Sequence, residues 1–475
     1  MTAGDSNQTL PHPARRGLAQ SRHVTLVMCT VLHAFSHAIA TLLVPLYLMM
    51  TSDLKLNGVK ASALVVTVYG MVYNGFAWAT GHLADRHNRK TMLGIGLIGN
   101  AMAIGLMGLV RNYEAVLLLA VMCGLFGSIF HPAANALVTA HYPDEPGMAI
   151  GWLGAGSGLG FFLGPQFAGW RATTATWTLW HVAAWQKPCV EMGVLGVLFG
   201  IVFLLTAREA PASMRAGSAT KKLGTREPLS PSPCTQGEGW GEGSGPSADR
   251  SLALPNHRPP MEPALRNRVI WLSVVLGCRD FAAAASLSLA SIFMQKAWGK
   301  TVAQAGQIVG LMMLLGVIAN PLMVYLTRGR RRLPGLTMIL IVGGCIVATT
   351  PLWPAVWVLP VLCGFQTMQL SSYAVSDASM LERTTPDQRG RVVGLFLLIA
   401  GTFSGTGPWV MGFWTDLLGH SASRPIAYLG PFGLVAVMML IASFSPRIIA
   451  KLGPVAGPEI SAFSEIMPET METGA

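Results

Sequence analysis

Six ionisable side chains lie inside long apolar runs of this 475-residue chain: His33, His37, His131, Arg279, Asp280 and Asp377. An ionised group at the centre of a bilayer costs about 2.5–3.5 kcal/mol on insertion scales, so each position invites a functional reading. Imidazole, with an unperturbed pKa near ~6.5, suits proton exchange. A guanidinium presents a rigid fork of donors that fits an anionic group. A carboxylate at membrane depth either carries a proton or offsets a neighbouring cation. His33 and His37 are four residues apart and share a helix face. Arg279 and Asp280 are adjacent, about 100° apart around a helix, so both cannot point straight into one cavity. Blander readings stand beside these. A membrane histidine can stay neutral and bond a carbonyl, Asp280 can simply offset Arg279, and Asp377 can lie near a solvated helix end. Glu191, at the start of an apolar run, reads as interfacial. The histidines are scattered along the chain with no metal-ligand spacing, so no metal centre is expected.

The elements that must position these groups follow from composition. Only 12% of residues are charged, 52% are hydrophobic, and mean hydropathy is +0.48. A soluble chain so poor in charge could not cover its surface, so a soluble enzyme, a secreted disulfide scaffold and a disordered chain are excluded. Apolar runs fall at 24–50, 61–82, 91–110, 115–140, 147–169, 188–207, 269–295, 303–327, 335–351, 353–377, 392–415 and 426–445. They predict an all-α integral membrane protein of twelve transmembrane helices, numbered here as spans 1 to 12. Trp177, Trp180 and Trp185, just before span 6, are expected at the membrane interface. The net charge of +11 follows the loops: one side holds 24 Lys and Arg, the other 8. That asymmetry predicts both termini in the cytoplasm of a multi-pass protein of the cell (inner) membrane, and it removes nucleic acid as a partner.

The chain divides into a cytoplasmic tail (1–21), a six-helix half (22–207), a flexible linker (208–268), a second half (269–447) and a cytoplasmic tail (448–475). The linker reading rests on the Pro/Gly/Ser-rich stretch from Pro228 to Asp249. The halves repeat. PDEPGMAIG (143–151) aligns with PDQRGRVVG (386–394) at an offset of 243, which also pairs Gly158 with Gly401, Gly164-Pro165 with Gly407-Pro408, and Gly169 with Gly412. Aligning Pro45-Leu46-Tyr47 with Ser291-Ile292-Phe293 places Arg279 at the position of His33. Duplicated halves around a midplane site are a transporter architecture.

After span 2 the chain reads GHLADRHNRK, Gly81 to Lys90. Gly81 permits close helix approach, and Asn88 falls where a left-handed residue would fit. This resembles the signature loop of the major facilitator superfamily, with Asn88 in place of one glycine, and the resemblance extends over about 22 to 447. It implies a pseudo-symmetric twelve-helix fold and a cytoplasmic gate at Gly81, Asp85, Arg86, Arg89 and Lys90. It also implies a cavity lined by the first, fourth, seventh and tenth helices, which are the spans carrying the six ionisable groups. GFFLGPQFAG in span 5 resembles the glycine-proline motif of family antiporters, with Ala168 for one glycine. That implies a packing role for Gly160, Gly164, Pro165 and Gly169 at the interface between halves. In span 4, Pro132 leaves the Ser128 carbonyl without its helical donor. GSIFHPAANALV and HAFSHAIATLLVPLY resemble helices of the fosmidomycin-resistance branch, although the membrane-embedded Arg that many drug–proton antiporters carry in span 4 is missing.

The expected function is therefore proton-coupled efflux of a small organic solute by alternating access, with no enzyme activity and no cofactor beyond the proton gradient. Arg279 would hold an anionic group, and some of His33, His37, His131 and Asp377 would exchange the proton. The resemblance implies a monomer whose partners are solute, protons and lipid. Two alternatives stay open: a symporter importing an organic-anion nutrient, and a non-transporting sensor on the same scaffold.

Overall fold

The computed structural model describes residues 13–178, 181–209, 261–327 and 329–454. Among the described residues, nine helical segments are long and apolar enough to cross a membrane. Three further helices, span 2 (Val59–Arg86), span 8 (Val302–Leu326) and span 10 (Ala355–Glu382), complete the expected twelve. Span 1 runs from Pro13 to Leu42 and resumes at Tyr47–Asp53; its start lies inside the stretch 1–21 that was expected to be a tail. Span 3 is Arg89–Met107, span 5 is Pro146–Thr174, span 6 is Gln186–Thr206 and span 7 is Pro263–Lys296. Span 9 is Arg332–Thr349, and span 12 is Leu429–Ala442 with a short continuation at Ser445–Ile449. The stretch Pro228 to Asp249 lies outside the described residues.

Two further spans are broken where their sequences require it. Span 4 consists of Tyr113–Gly127 and Phe130–His141. The Ser128 carbonyl, which Pro132 cannot reach with an N–H, accepts the Thr80 hydroxyl of span 2 at 2.9 Å. Span 11 is interrupted at Thr406, between Pro386–Gly405 and Gly407–Leu418, just before Pro408. Span 5 instead continues through Pro165 without a break.

Each half buries its own apolar cluster. Leu42, Leu97, Leu137 and Phe203 belong to the first, and Leu272, Phe293, Phe365 and Phe432 to the second. Between the halves, spans 5 and 8 lie together on one flank and spans 2 and 11 on the other. The sequence repeat is realised in three dimensions. A Cβ on Gly158 would come within 2.8 Å of Val317 on span 8, and one on Gly401 within 2.6 Å of Asn74 on span 2. Gly169 and Gly412 likewise face the opposite half, at Val302 and Lys60. Gly164 and Gly407 face their own half, at Ala38 of span 1 and at Ala285 of span 7. Paired glycines thus make equivalent approaches in the two halves, against side chains at Gly158 and Gly401 and against backbone at the other two pairs, where there is no room for a Cβ.

Candidate functional site: polar clusters at the centre of each half

The first cluster stands on spans 1 and 4. His33 Nδ1 lies 2.6 Å from the Leu153 carbonyl of span 5. A carbonyl only accepts, so Nδ1 carries the hydrogen and the neutral ring presents a lone pair at Nε2. His37 Nε2 sits 2.9 Å from that atom and donates to it. The His131 ring centroid is 5.1 Å from His33 and 5.7 Å from His37. Phe130 stacks on His33 at 4.3 Å, and Phe161 lies 4.2 Å from His37. His33 is buried, while His37 and His131 are half-buried.

Span 5 packs closely on span 1 beside these rings. A Cβ on Gly160 would lie 2.9 Å from that of His37, and one on Gly156 would lie 3.2 Å from that of His33. The glycine motif therefore divides. Gly160 and Gly164 pack on span 1 within their own half, contrary to an interface role for the whole stripe. Pro165 and Gly169 do reach across: the Pro165 carbonyl lies against Gly306, and Gly169 against Val302 and Ala303, all on span 8. The expectation of scattered histidines is also corrected, since the fold gathers three of them into one cluster.

The second cluster stands on spans 7 and 10. Arg279 is fully enclosed; its Nη2 pairs with Asp280 Oδ1 at 2.8 Å and its Nε donates to the same oxygen at 2.8 Å. Its Nη1 donates to Ser376 Oγ at 2.7 Å and to the Ser372 carbonyl at 3.3 Å, and its Cζ lies 3.8 Å above the Tyr373 ring. Asp377, half-buried, accepts from Ser376 Oγ at 3.2 Å. Asp280 is thus the local partner of Arg279, the blander of its two readings. Tyr373 and Ser376 were not anticipated. Their signal was a polar stripe at helical spacing in an apolar helix, Gln366, Gln369, Ser372, Ser376 and Ser379, all buried.

Ties between the halves run from the middle of the molecule to the ends remote from the chain termini, called here the far ends. Tyr47 OH meets Ser288 Oγ at 3.0 Å, Ser291 Oγ donates to the Val44 carbonyl at 3.0 Å, and Gln295 Nε2 donates to the Pro45 carbonyl at 3.0 Å. Asn74 Nδ2 donates to the Gly401 carbonyl at 3.2 Å, and the Trp409 amide to Thr67 Oγ1 at 3.1 Å. At the far end of span 11, Asp416 accepts the Val59 and Lys60 amides at 2.8 and 3.0 Å. It caps the N-terminus of span 2 from the other half, a junction that Gly58 keeps open at φ +94°. No motif announced Asp416. At the other end, Trp78, Leu83, Trp152 and Leu322 of spans 2, 5 and 8 are exposed.

In the loop after span 2, Arg89 Nη1 reaches the Ala136 carbonyl of span 4 at 3.2 Å, and the Lys90 amide donates to Glu209 at 3.0 Å. Arg86 is exposed, Gly81 lies beside Pro132, and the Asp85 side chain is outside the described residues. Asn88 is not left-handed. At φ −68° and ψ 114° it is the N-cap of span 3, accepting the Thr91 amide at 2.9 Å. Trp185, immediately before span 6, is 1% exposed and donates at 2.9 Å to Asp53 Oδ2, at the end of span 1. Trp177 donates to Glu191, which Arg171 grips through two bonds of 2.6 and 2.7 Å; Trp180 lies outside the described residues.

Over residues 26–368, and again over 272–468, the sequence matches the Major Facilitator Superfamily. The chain belongs to that superfamily. It is a multi-pass membrane protein of that superfamily. A multidrug resistance protein of Dickeya zeae, MdtG, is 36% identical over 147 residues, covering 30% of this chain and 35% of the relative. The MdtG of Klebsiella pneumoniae is 41% identical over 93 residues, 19% and 22% of the two chains. These matches span about a third or less of the curated relatives. Among solved structures, a bacterial homologue of the human lysosomal transporter Spinster, inward-facing and unoccupied, aligns with TM-score 0.65 at 16% identity over 91% of this chain and 98% of its own. The nucleoside transporter NupG aligns with TM-score 0.62 at 13% identity over 90% and 100%. At these identities the likeness is one of superfamily fold.

Proposed function

We propose that this major facilitator protein is a proton-coupled exporter of a small organic solute, acting as a monomer in the cell membrane with both termini in the cytoplasm. On this reading the ties at the far ends close the outer face and the molecule faces inward. Rocking of the halves about the central clusters then alternates access. The observation that carries the proposal is the buried group formed by Arg279, Asp280, Ser376 and Asp377, set on the two C-half spans that line the family's cavity. Of the four groups expected to exchange the proton, we assign that role to Asp377. It touches the ion pair only through a serine hydroxyl, so it can take up and release a proton without breaking that pair. One proton moving through 100 mV supplies about 2.3 kcal/mol, enough for a gradient of roughly fiftyfold. The resemblance to multidrug resistance proteins supports export over import.

One observation favours a second reading. Arg279 is already neutralised by Asp280, so an anionic solute binding there would displace that carboxylate and leave it to take up a proton. Anion and proton would then travel together, as in an importer. Everted vesicles distinguish the two. With an imposed lumenal proton gradient, solute-dependent collapse that is lost in Asp377→Asn supports exchange. No collapse across a panel of solutes, with proton-driven uptake of an organic anion into intact cells, overturns it in favour of symport.

A further inference from the structure

The histidine cluster of the first half carries chemistry that solute transport does not use. The ligand atoms of His33, His37 and His131 all lie within 4.8 Å of one another. Three imidazoles form a common protein ligand set for a borderline divalent ion, as in three-histidine zinc sites that keep a fourth position open. We infer that His33, His37 and His131 form a binding site for a divalent first-row transition ion of the Zn2+ or Co2+ class.

Three features support ligation beyond proximity. First, His33 commits Nδ1–H to the Leu153 carbonyl, which turns its lone pair at Nε2 toward His37. A bond from the other ring nitrogen to a backbone carbonyl is the usual outer-shell support of a metal-bound histidine. Second, the close His33–His37 contact of 2.9 Å is held by one hydrogen between two nitrogens. An ion bound to both nitrogens at about 2.0–2.1 Å in tetrahedral geometry needs them about 3.3 Å apart, a small outward swing of the rings. Third, His37 and His131 are half-buried, so the cluster is open on one side. Neutral imidazoles leave the ion's charge uncompensated, so the fourth ligand, entering from that side, is an oxygen donor such as hydroxide or a carboxylate. Hard ions such as Mg2+ and Ca2+, which prefer oxygen ligands throughout, are excluded by the donor set.

The site is tested by binding alone, so failure of the transport reading leaves it standing. The full chain, purified without a polyhistidine tag, is titrated with Co2+ while visible absorption is followed. The expected result is saturation at one equivalent with the intense bands of a four-coordinate ion, displacement by Zn2+, and no response to Mg2+. His37→Gln and His131→Gln each weaken binding at least about tenfold. Zn2+ raises the thermal midpoint of the parent protein and not of either variant. His33→Gln is avoided because it also removes the tie to span 5. A melting transition retained in each variant shows that lost binding is not lost folding; should one variant fail to fold, the other decides alone. The proposal is overturned if Co2+ gives no saturable four-coordinate spectrum. It is also overturned if the spectrum survives both variants, which would place the ion on surface histidines such as His82 and His87.

Discussion

The two halves share a skeleton and differ in the chemistry at their centres. Gly164 and Gly407 bring spans 5 and 11 onto spans 1 and 7, while Gly169 and Gly412 make equivalent contacts across the interface. Within that common frame, spans 1 and 4 hold three imidazoles that can all be neutral. Spans 7 and 10 hold a guanidinium and two carboxylates, with Arg279 at the position His33 occupies in the repeat. Positions where backbones touch tolerate no side chain, so duplication preserves them. Positions facing the centre have room for a side chain and are free to diverge. A full charge at 0% exposure must then be met locally, which Asp280, Ser376 and Tyr373 do. The histidines need only one another and a carbonyl.

Four changes would break or sharpen this contrast, in descending order of effect. Arg279→Ala leaves Asp280 without its counter-charge and should cost about 3–5 kcal/mol in stability and abolish transport. Replacing both partners, Arg279→Met with Asp280→Leu, should recover most of the stability while transport stays lost. If the double replacement melts as low as the single one, the pair is not the source of the loss; thermal melts with parallel vesicle assays decide. Next come the paired glycines. Gly164→Ala and Gly407→Ala should each cost about 1–3 kcal/mol through overpacking, because the new Cβ meets backbone at 2.5 and 2.8 Å. Unequal losses, with one of them near zero, would break the claimed equivalence.

Asp377→Asn is expected to leave the melting temperature within a few degrees of the parent and to remove proton exchange. Flux of solute down its own gradient should persist. Loss of both fluxes would make Asp377 a solute ligand rather than a proton carrier. The smallest effect is expected from Asp416→Ala, which removes a helix cap worth about 0.5–2 kcal/mol. That tie holds only while the far ends are together, so the variant should shift molecules toward opening there. Labelling of a cysteine introduced near Lys60 would rise; unchanged labelling would mean that Asp416 does not hold the far face closed.

Much of the frame was legible in the residues. Apolar runs near twenty residues marked the spans, although helices such as Val59–Arg86 and Ala355–Glu382 extend past the apolar run into polar turns at the membrane edge. The break at Pro132 and the orphaned Ser128 carbonyl followed from the missing proline N–H, but the donor, Thr80, is 48 residues away in sequence and was not foreseeable. Asn88 was read through glycine-like freedom when its side chain was needed as a helix cap. The place of Trp185 just before span 6 was legible, but its partner Asp53, 132 residues earlier, was not. Asp416 gave no signal because its role depends on amides 356 and 357 residues earlier.

The sequence by itself determined that this chain crosses a membrane many times in two repeated halves, because lipid imposes length, polarity and loop charge on every span separately. Only the tertiary structure decided which ionisable groups meet. That His33 and His37 are joined by His131, and that Arg279 is satisfied by its own neighbour and by span 10, depends on helix rotation and approach. Those are set by contacts between glycines and carbonyls far apart in the chain, which no local pattern encodes.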